Sequence, residues 1–209
     1  MSRRLLLMRH GQTAWNAAGR AQGHADVPLD ETGHGQAAAA APYVGSLGLA
    51  ALWSSDLERA RETVEYVLAV TGLSVKYDER LREFDVGKRQ GLTLEEFEQA
   101  HPDAFDGWSR ADQLVPVLEG ESEQDVQARI VPVLEECLSS LEDGETGLVV
   151  THGAALKVGL IGMLGWQIDC FRDLAVLDNC AWATVSTSGR DGRLRLAGYN
   201  QKPPLAPRP

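Results

Sequence analysis

The stretch Leu5-Leu6-Leu7-Met8-Arg9-His10-Gly11 decides how this chain folds. Four apolar residues in a row, ended abruptly by a cation, a histidine and a glycine, read as a buried strand that delivers its last residues into a loop. Two other stretches repeat the arrangement. Ala51 to Ser55 is a short strand running into Asp56, and Leu148 to Thr151 is another, followed by His152-Gly153. Strands alternating with helical segments predict an α/β fold with a mostly parallel sheet covered on both faces. Ligands of such sheets sit beyond the carboxyl ends of the strands. Arg9-His10-Gly11, Ser54-Ser55-Asp56 and Thr151-His152-Gly153 all fall there.

Working outward, the alanine-rich segment from Thr32 to about Leu47 favours helix, with Pro42 expected to kink or restart it. Leu57, Ala60, Val64, Val67 and Leu68 fall at helical spacing up to Gly72, and Val75 to Tyr77 begins another strand. Leu92 to Gly120 is irregular: Leu94 and Phe97 suggest a short helix, while Pro102, Gly107 and Pro116 punctuate an excursion over the site. Val126, Ile130, Val133, Leu134, Cys137, Leu138 and Leu141 form a clean amphipathic stripe, which Pro132 is expected to bend. Gly153 to Leu164 is an apolar helix. Ala181 to Thr187 and Leu194 to Tyr199 read as a closing strand pair. One domain over residues 1–201 and a Pro-rich, disordered tail over 202–209 complete the expected organisation.

A net charge of -10 argues against a nucleic-acid groove or an anionic membrane surface as partner, because both require clustered Lys and Arg. Any anion site must therefore be built locally. Three cysteines, Cys137, Cys170 and Cys180, lack the spacing of a disulfide framework or a zinc site, and a reducing cytoplasm fits them. His24, His34 and His101 show no metal-ligand spacing, so neither metal nor cofactor is expected. Trp15 is expected over the pocket, and Trp53, Trp108, Trp166 and Trp182 in the core or at its rim.

Each motif also has a bland reading. A lone histidine is more often a bystander than a catalyst, Thr151 is a reasonable helix cap, and Arg59 and Arg61 suit a solvated helix face. Taken together and in order, however, the motifs resemble a known family. Arg9-His10-Gly11-Gln12-Thr13 with Trp15-Asn16, Gln22-Gly23 with Asp26 and Pro28-Leu29, Ser54 to Thr63, Leu81-Arg82-Glu83, Gly87 with Gly91-Leu92-Thr93, Gly120-Glu121-Ser122 and Thr151-His152-Gly153 look like those of the histidine phosphatase (phosphoglycerate mutase-like) superfamily. The resemblance spans roughly residues 4 to 187. It implies a three-layer α/β/α sandwich and catalysis through a phosphorylated histidine.

By that resemblance His10 is the nucleophile, Arg9 and Arg59 clamp the phosphate, His152 is the second pocket histidine and Glu83 the proton donor. Asn16, Gln22, Gly23 and Gly153 fall near the bound phosphate. The chemistry of these residue types agrees. A neutral imidazole splits one hard displacement at phosphorus into two easier ones. Arginines offer paired donors to phosphate oxygens, and their charge disfavours protonation of the histidine beside them.

Mutases of this superfamily usually carry an asparagine after the histidine-glycine pair and a tyrosine three residues after the acid. Here those places hold Ala154 and Val86, and Arg110 is the lone Lys or Arg between Leu92 and Gly120. The stretch Leu81 to Thr93 looks instead like the broad-specificity and cobalamin-pathway phosphatase branches. The leading expectation is a metal-independent phosphomonoesterase acting on a small phosphorylated metabolite: a phosphosugar, a phosphoglycerate derivative or a nucleoside phosphate. A phosphoglycerate mutase is the runner-up. A non-catalytic binding module comes last, since Arg9, His10, Arg59, Glu83 and His152 are all present. Oligomeric state stays open, with a homodimer as one reading.

Overall fold

The computed structural model of the chain describes residues 2–109 and 117–204. Its elements in chain order are β1 (Arg4–Arg9), α1 (Ala14–Ala17), α2 (Glu31–Gly45), β2 (Leu49–Ser54), α3 (Glu58–Thr71), β3 (Val75–Tyr77), α4 (Leu94–Ala100), α5 (Pro102–Ser109), α6 (Glu123–Ser139), β4 (Thr146–Thr151), α7 (Gly153–Leu164), β5 (Trp182–Thr187) and β6 (Leu194–Gln201). The strands form one sheet in the order β3-β2-β4-β1-β5-β6. β1 to β4 run parallel, whereas β5 is antiparallel to both of its neighbours.

Alternation along β1 builds the layers. Leu5 and Leu7 point to one face, where they pack with Val126, Ile130 and Leu134 of α6 and Leu156 and Leu160 of α7. Leu6 and Met8 point to the other, against Ala37, Ala41 and Val44 of α2 and Val64 and Val67 of α3. β1 is therefore apolar throughout because it is covered on both sides, as a central parallel strand must be. The result is the expected three-layer α/β/α sandwich.

Several elements depart from the sequence reading. α2 and α6 run through Pro42 and Pro132 as single helices. Both prolines and the residues four positions earlier, Ala38 and Ala128, are exposed, so the carbonyls that lose an intrahelical partner can turn to water. Pro102 does not break a helix but begins one: at the first helical position its missing N–H costs nothing. The segment carrying Pro116, together with Arg110, lies outside the described residues. In the C-terminal segment Lys202 pairs with Asp178 at 2.7 Å, and residues 205–209 lie outside the described part.

Candidate active site

β1 and β4 are neighbours with Arg9 opposite Thr151, so the residue following each strand, His10 and His152, emerges at the same level of the sheet edge. Their ring centroids lie 5.2 Å apart at 57°. The backbone around His10 is pinned from three directions. Its N–H donates to Thr151 O at 3.0 Å, Asn179 Nδ2 donates to His10 O at 2.9 Å, and Gly11 N donates to Thr63 Oγ1 at 3.0 Å.

His10 Nδ1 lies 2.6 Å from Gly11 O. A carbonyl can only accept, so Nδ1 carries the ring hydrogen and Nε2 keeps its lone pair. Burial, followed by the charges of Arg59 and Arg9, holds this imidazole well below its ordinary proton affinity. At neutral pH it is an unprotonated base.

Arg59 enters from the first turn of α3 and is fully buried. Its Nη1 and Nη2 donate to Ala25 O and Gly23 O, both at 2.8 Å, while Arg9 Nη1 donates to Leu177 O at 2.6 Å. These backbone carbonyls hold the side chains without neutralising them. Burial lowers both guanidinium values, that of Arg59 to about 10, which still leaves it charged at neutral pH.

A cavity of about 270 Å³ opens at this edge. Arg9, His10, Asn16, Gln22, Gly23, Arg59, Glu83 and Gly153, all singled out by the sequence, line it. His152 does not belong to its wall; it is fully buried against His10, with Nε2 at 2.8 Å from Ser55 Oγ and Nδ1 without a partner. Burial and then the charge of Arg59 hold its imidazole well below the usual range as well. Glu83 is seated on the N-terminus of α7: Oε1 accepts Ala155 N at 2.8 Å and Phe84 N at 3.0 Å, and Oε2 accepts Ala154 N at 3.1 Å. Oε2 retains a lone pair on which a proton can ride.

Among the described residues, Arg9 Nε, Arg59 Nε, Arg89 Nε, Gln22 Oε1 and Glu123 Oε2 are buried polar atoms without a hydrogen-bond partner, and all five residues line this cavity. Such atoms are normally paired. Their gathering around one cavity describes a surface built for a polar, predominantly anionic ligand.

The sequence did not single out the residues that brace the site. Arg129 of α6 donates to Arg80 O, Arg82 O and Glu83 O and pairs with Glu121 at 2.8 Å, fixing the turn that carries Glu83. The ring of His24, whose spacing in the sequence pointed to no site, meets Glu83 O at 2.8 Å. Arg20, Arg89 and Trp108 line the cavity, whereas Trp15 packs on the bare face of Gly91 rather than on the cavity wall. No group of three or more His, Cys, Asp or Glu among the described residues is arranged to hold a metal ion, and no described helix is long and apolar enough to cross a membrane.

The chain is similar to known proteins over most of its length. Residues 5–200 match the model of the histidine phosphatase superfamily, branch 1. A probable phosphoglycerate mutase GpmB of Salmonella paratyphi A is 38% identical over 188 residues, covering 86% of this chain and 82% of its own. A glucosyl-3-phosphoglycerate phosphatase of Mycobacterium tuberculosis is 35% identical over 192 residues, covering 88% and 86%. Among solved structures, a mycobacterial glucosyl-3-phosphoglycerate phosphatase in complex with VO3 superposes with a TM-score of 0.85 at 33% identity, over 95% of this chain and 99% of that one. With a paired-histidine edge, two buried arginines and a family match over nearly its whole length, this chain belongs to the histidine phosphatase superfamily.

Proposed function

We propose that this protein is a phosphomonoesterase that hydrolyses a small phosphorylated metabolite through a phosphohistidine on His10. The observation that carries the reading is the state of His10: its Nδ1 is committed to Gly11 O, which leaves a neutral Nε2 in a cavity with two buried guanidinium groups whose Nε–H donors are unspent.

In the first step Nε2 of His10 attacks phosphorus and the bond to the ester oxygen breaks. Glu83 delivers its proton to the departing alcohol. The three non-bridging oxygens gain charge as the phosphoryl group moves, and Arg9 and Arg59 offer donors already held in place at the cavity wall. Water then attacks the phosphohistidine, Glu83 takes its proton back, and inorganic phosphate leaves. Positive charge supplied by two arginines lets the transfer proceed without a divalent cation.

Transfer to a second hydroxyl instead of water would make the chain a mutase, as its GpmB relative is named. Val86 and Ala154 both line the cavity and give it two apolar side chains where the mutase pattern has donors. That favours hydrolysis. A cytoplasmic setting agrees with three free cysteines, of which Cys137 and Cys180 are buried.

Rapid quenching during turnover tests the reading. A phosphoramidate that is stable to alkali and labile to acid should form on the peptide containing Arg9 and His10, and His10→Ala should remove both trapping and phosphate release, by about 10³-fold or more. Turnover should persist in EDTA. Inversion of configuration at a chiral phosphorus would mean one direct displacement and would overturn the nucleophile assignment.

A further inference from the structure

Two arginines besides Arg9 and Arg59 line the cavity, and they differ sharply. Arg20 is held by an ion pair, with Nη1 and Nη2 on the Glu96 carboxylate at 2.6 and 2.9 Å and Nη1 also on Gly91 O. Arg89 makes no hydrogen bond or ion pair through its side chain among the described residues, and its Nε is buried without a partner. Its guanidinium lies 4.8 Å over the ring of Trp108, another residue of the cavity wall.

Stacking alone does not account for it. A cation over an indole contributes about 0.5–2 kcal/mol, and it satisfies none of the five N–H donors. Burial already disfavours the charged form of Arg89, with no carboxylate among the described residues offsetting that. The placement is nonetheless fixed. Arg89 ends the tight turn Gly87–Arg89, where Gly87 has φ +46° and a Cβ there would sit 2.2 Å from Leu118 O. Lys88 N donates to the same carbonyl at 3.0 Å, so the segment beginning at Val117 clamps the turn against the cavity.

The carboxylates of the wall are otherwise engaged. Glu121 pairs with Arg129, Asp85 accepts Gly87 N at 2.9 Å, and Glu83 rests on backbone N–H groups. Glu123 remains unpartnered at Oε2, and burial pushes its proton affinity up, with Arg172 opposing.

We propose that Arg89, stacked on Trp108, is a second oxyanion subsite, so that the preferred ester carries a carboxylate or a second phosphate on the alcohol it releases. Arg9 and Arg59 take the phosphoryl group and Arg89 takes the other anion, which makes it a specificity-determining residue. This rests on the phosphomonoesterase reading above and adds the charge of the leaving group to it.

The test compares 3-phosphoglycerate with glycerol 3-phosphate, which differ at one carbon by carboxylate against hydroxymethyl, and fructose 1,6-bisphosphate with fructose 6-phosphate. The ratio of kcat/KM within each pair is measured for the wild type, Arg89→Gln and Arg89→Lys. A general loss of folding cancels in the ratio. A charge-assisted hydrogen bond predicts a wild-type ratio of about 10 or more in favour of the doubly anionic member. Arg89→Gln should abolish it through KM, and Arg89→Lys should restore part of it. A collapse in the first pair alone identifies a carboxylate, in the second alone a phosphate, and in both a general oxyanion site. Ratios unchanged by Arg89→Gln in both pairs overturn the proposal. Should the wild type release phosphate from none of the four, the phosphatase reading fails instead. Calorimetric binding of the same pairs to wild type and Arg89→Gln then decides the subsite without turnover.

Discussion

His152 Nε2 lies 2.8 Å from Ser55 Oγ, a contact that joins residues 97 apart in sequence. Leu57 N donates to the same oxygen at 3.4 Å, so the serine's own hydrogen is free to donate to the imidazole. With the hydroxyl donating to Nε2, the ring hydrogen of His152 falls on Nδ1, its unpartnered nitrogen, and Ser55 sets the tautomer of the ring packed against His10. Ser55→Ala should therefore lower kcat/KM by up to about tenfold, the worth of one hydrogen bond. The thermal midpoint, measured alongside, should move little by comparison, and Ser55→Cys should recover part of the rate. An unchanged kcat/KM in Ser55→Ala would refute the assignment.

Glu83→Gln keeps an oxygen to accept Ala155 N and Phe84 N, gives up the acceptor for Ala154 N and has no proton to give. Alkyl phosphates, whose leaving groups need protonation, should lose about 10²–10⁴-fold in kcat, and para-nitrophenyl phosphate much less. Equal losses for both substrates would take the acid role away from Glu83.

Stability should fall on mild acidification. His10 and His152 have folded-state proton affinities held below the ordinary value by burial first and then by Arg59. The unfolded chain therefore takes up protons first as pH drops through about 6.5. Their contribution is complete above that value and is lost below it, by roughly 1 kcal/mol per histidine for each pH unit. Urea titrations between pH 7.5 and 5.5 measure this directly. A flat stability over that range would contradict it.

Two glycines with positive φ should respond differently to alanine. Gly19 has φ +66° with nothing within 4 Å of an added Cβ, so Gly19→Ala pays only backbone strain, about 1–2 kcal/mol. Gly23 has φ +54°, an added Cβ there would meet Val86 Cγ2 at 2.6 Å, and its carbonyl anchors Arg59 Nη2. Gly23→Ala should lower the thermal midpoint further and also weaken competitive inhibition by inorganic phosphate. Equal effects of the two variants would show that the loop does not position Arg59.

Much of this was legible because the informative residues follow strands. An apolar run ending in Arg-His-Gly marks both a central strand and what stands at its end, and Thr151-His152-Gly153 repeats the sign. Strand order was not legible: nothing local in Leu5–Met8 says that it sits between residues 146–151 and 182–187. Bracing residues were hidden for the same reason. Arg129 sits in an amphipathic helix like any solvated cation, and Asn179 in a loop with no motif, yet both donate to backbone carbonyls that tertiary packing brings near. Arg89 went unread, and Trp108 was read as a core or rim aromatic rather than a wall of the site, because proline and glycine around α5 suggested interruption where Pro102 in fact starts a helix that carries Trp108 to the wall.

The adjacency of β1 and β4 has a bearing on synthesis. An emerging chain possesses His10 almost at once, but the strand beside it arrives only with residues 146–151, and its other neighbour with 182–187. Until both have left the ribosome tunnel, Arg9 lacks the Leu177 carbonyl and His10 lacks Asn179. Nascent chains cut short in the third quarter of the sequence are thus chemically silent, and the onset of turnover marks the moment the last interior strand slots home.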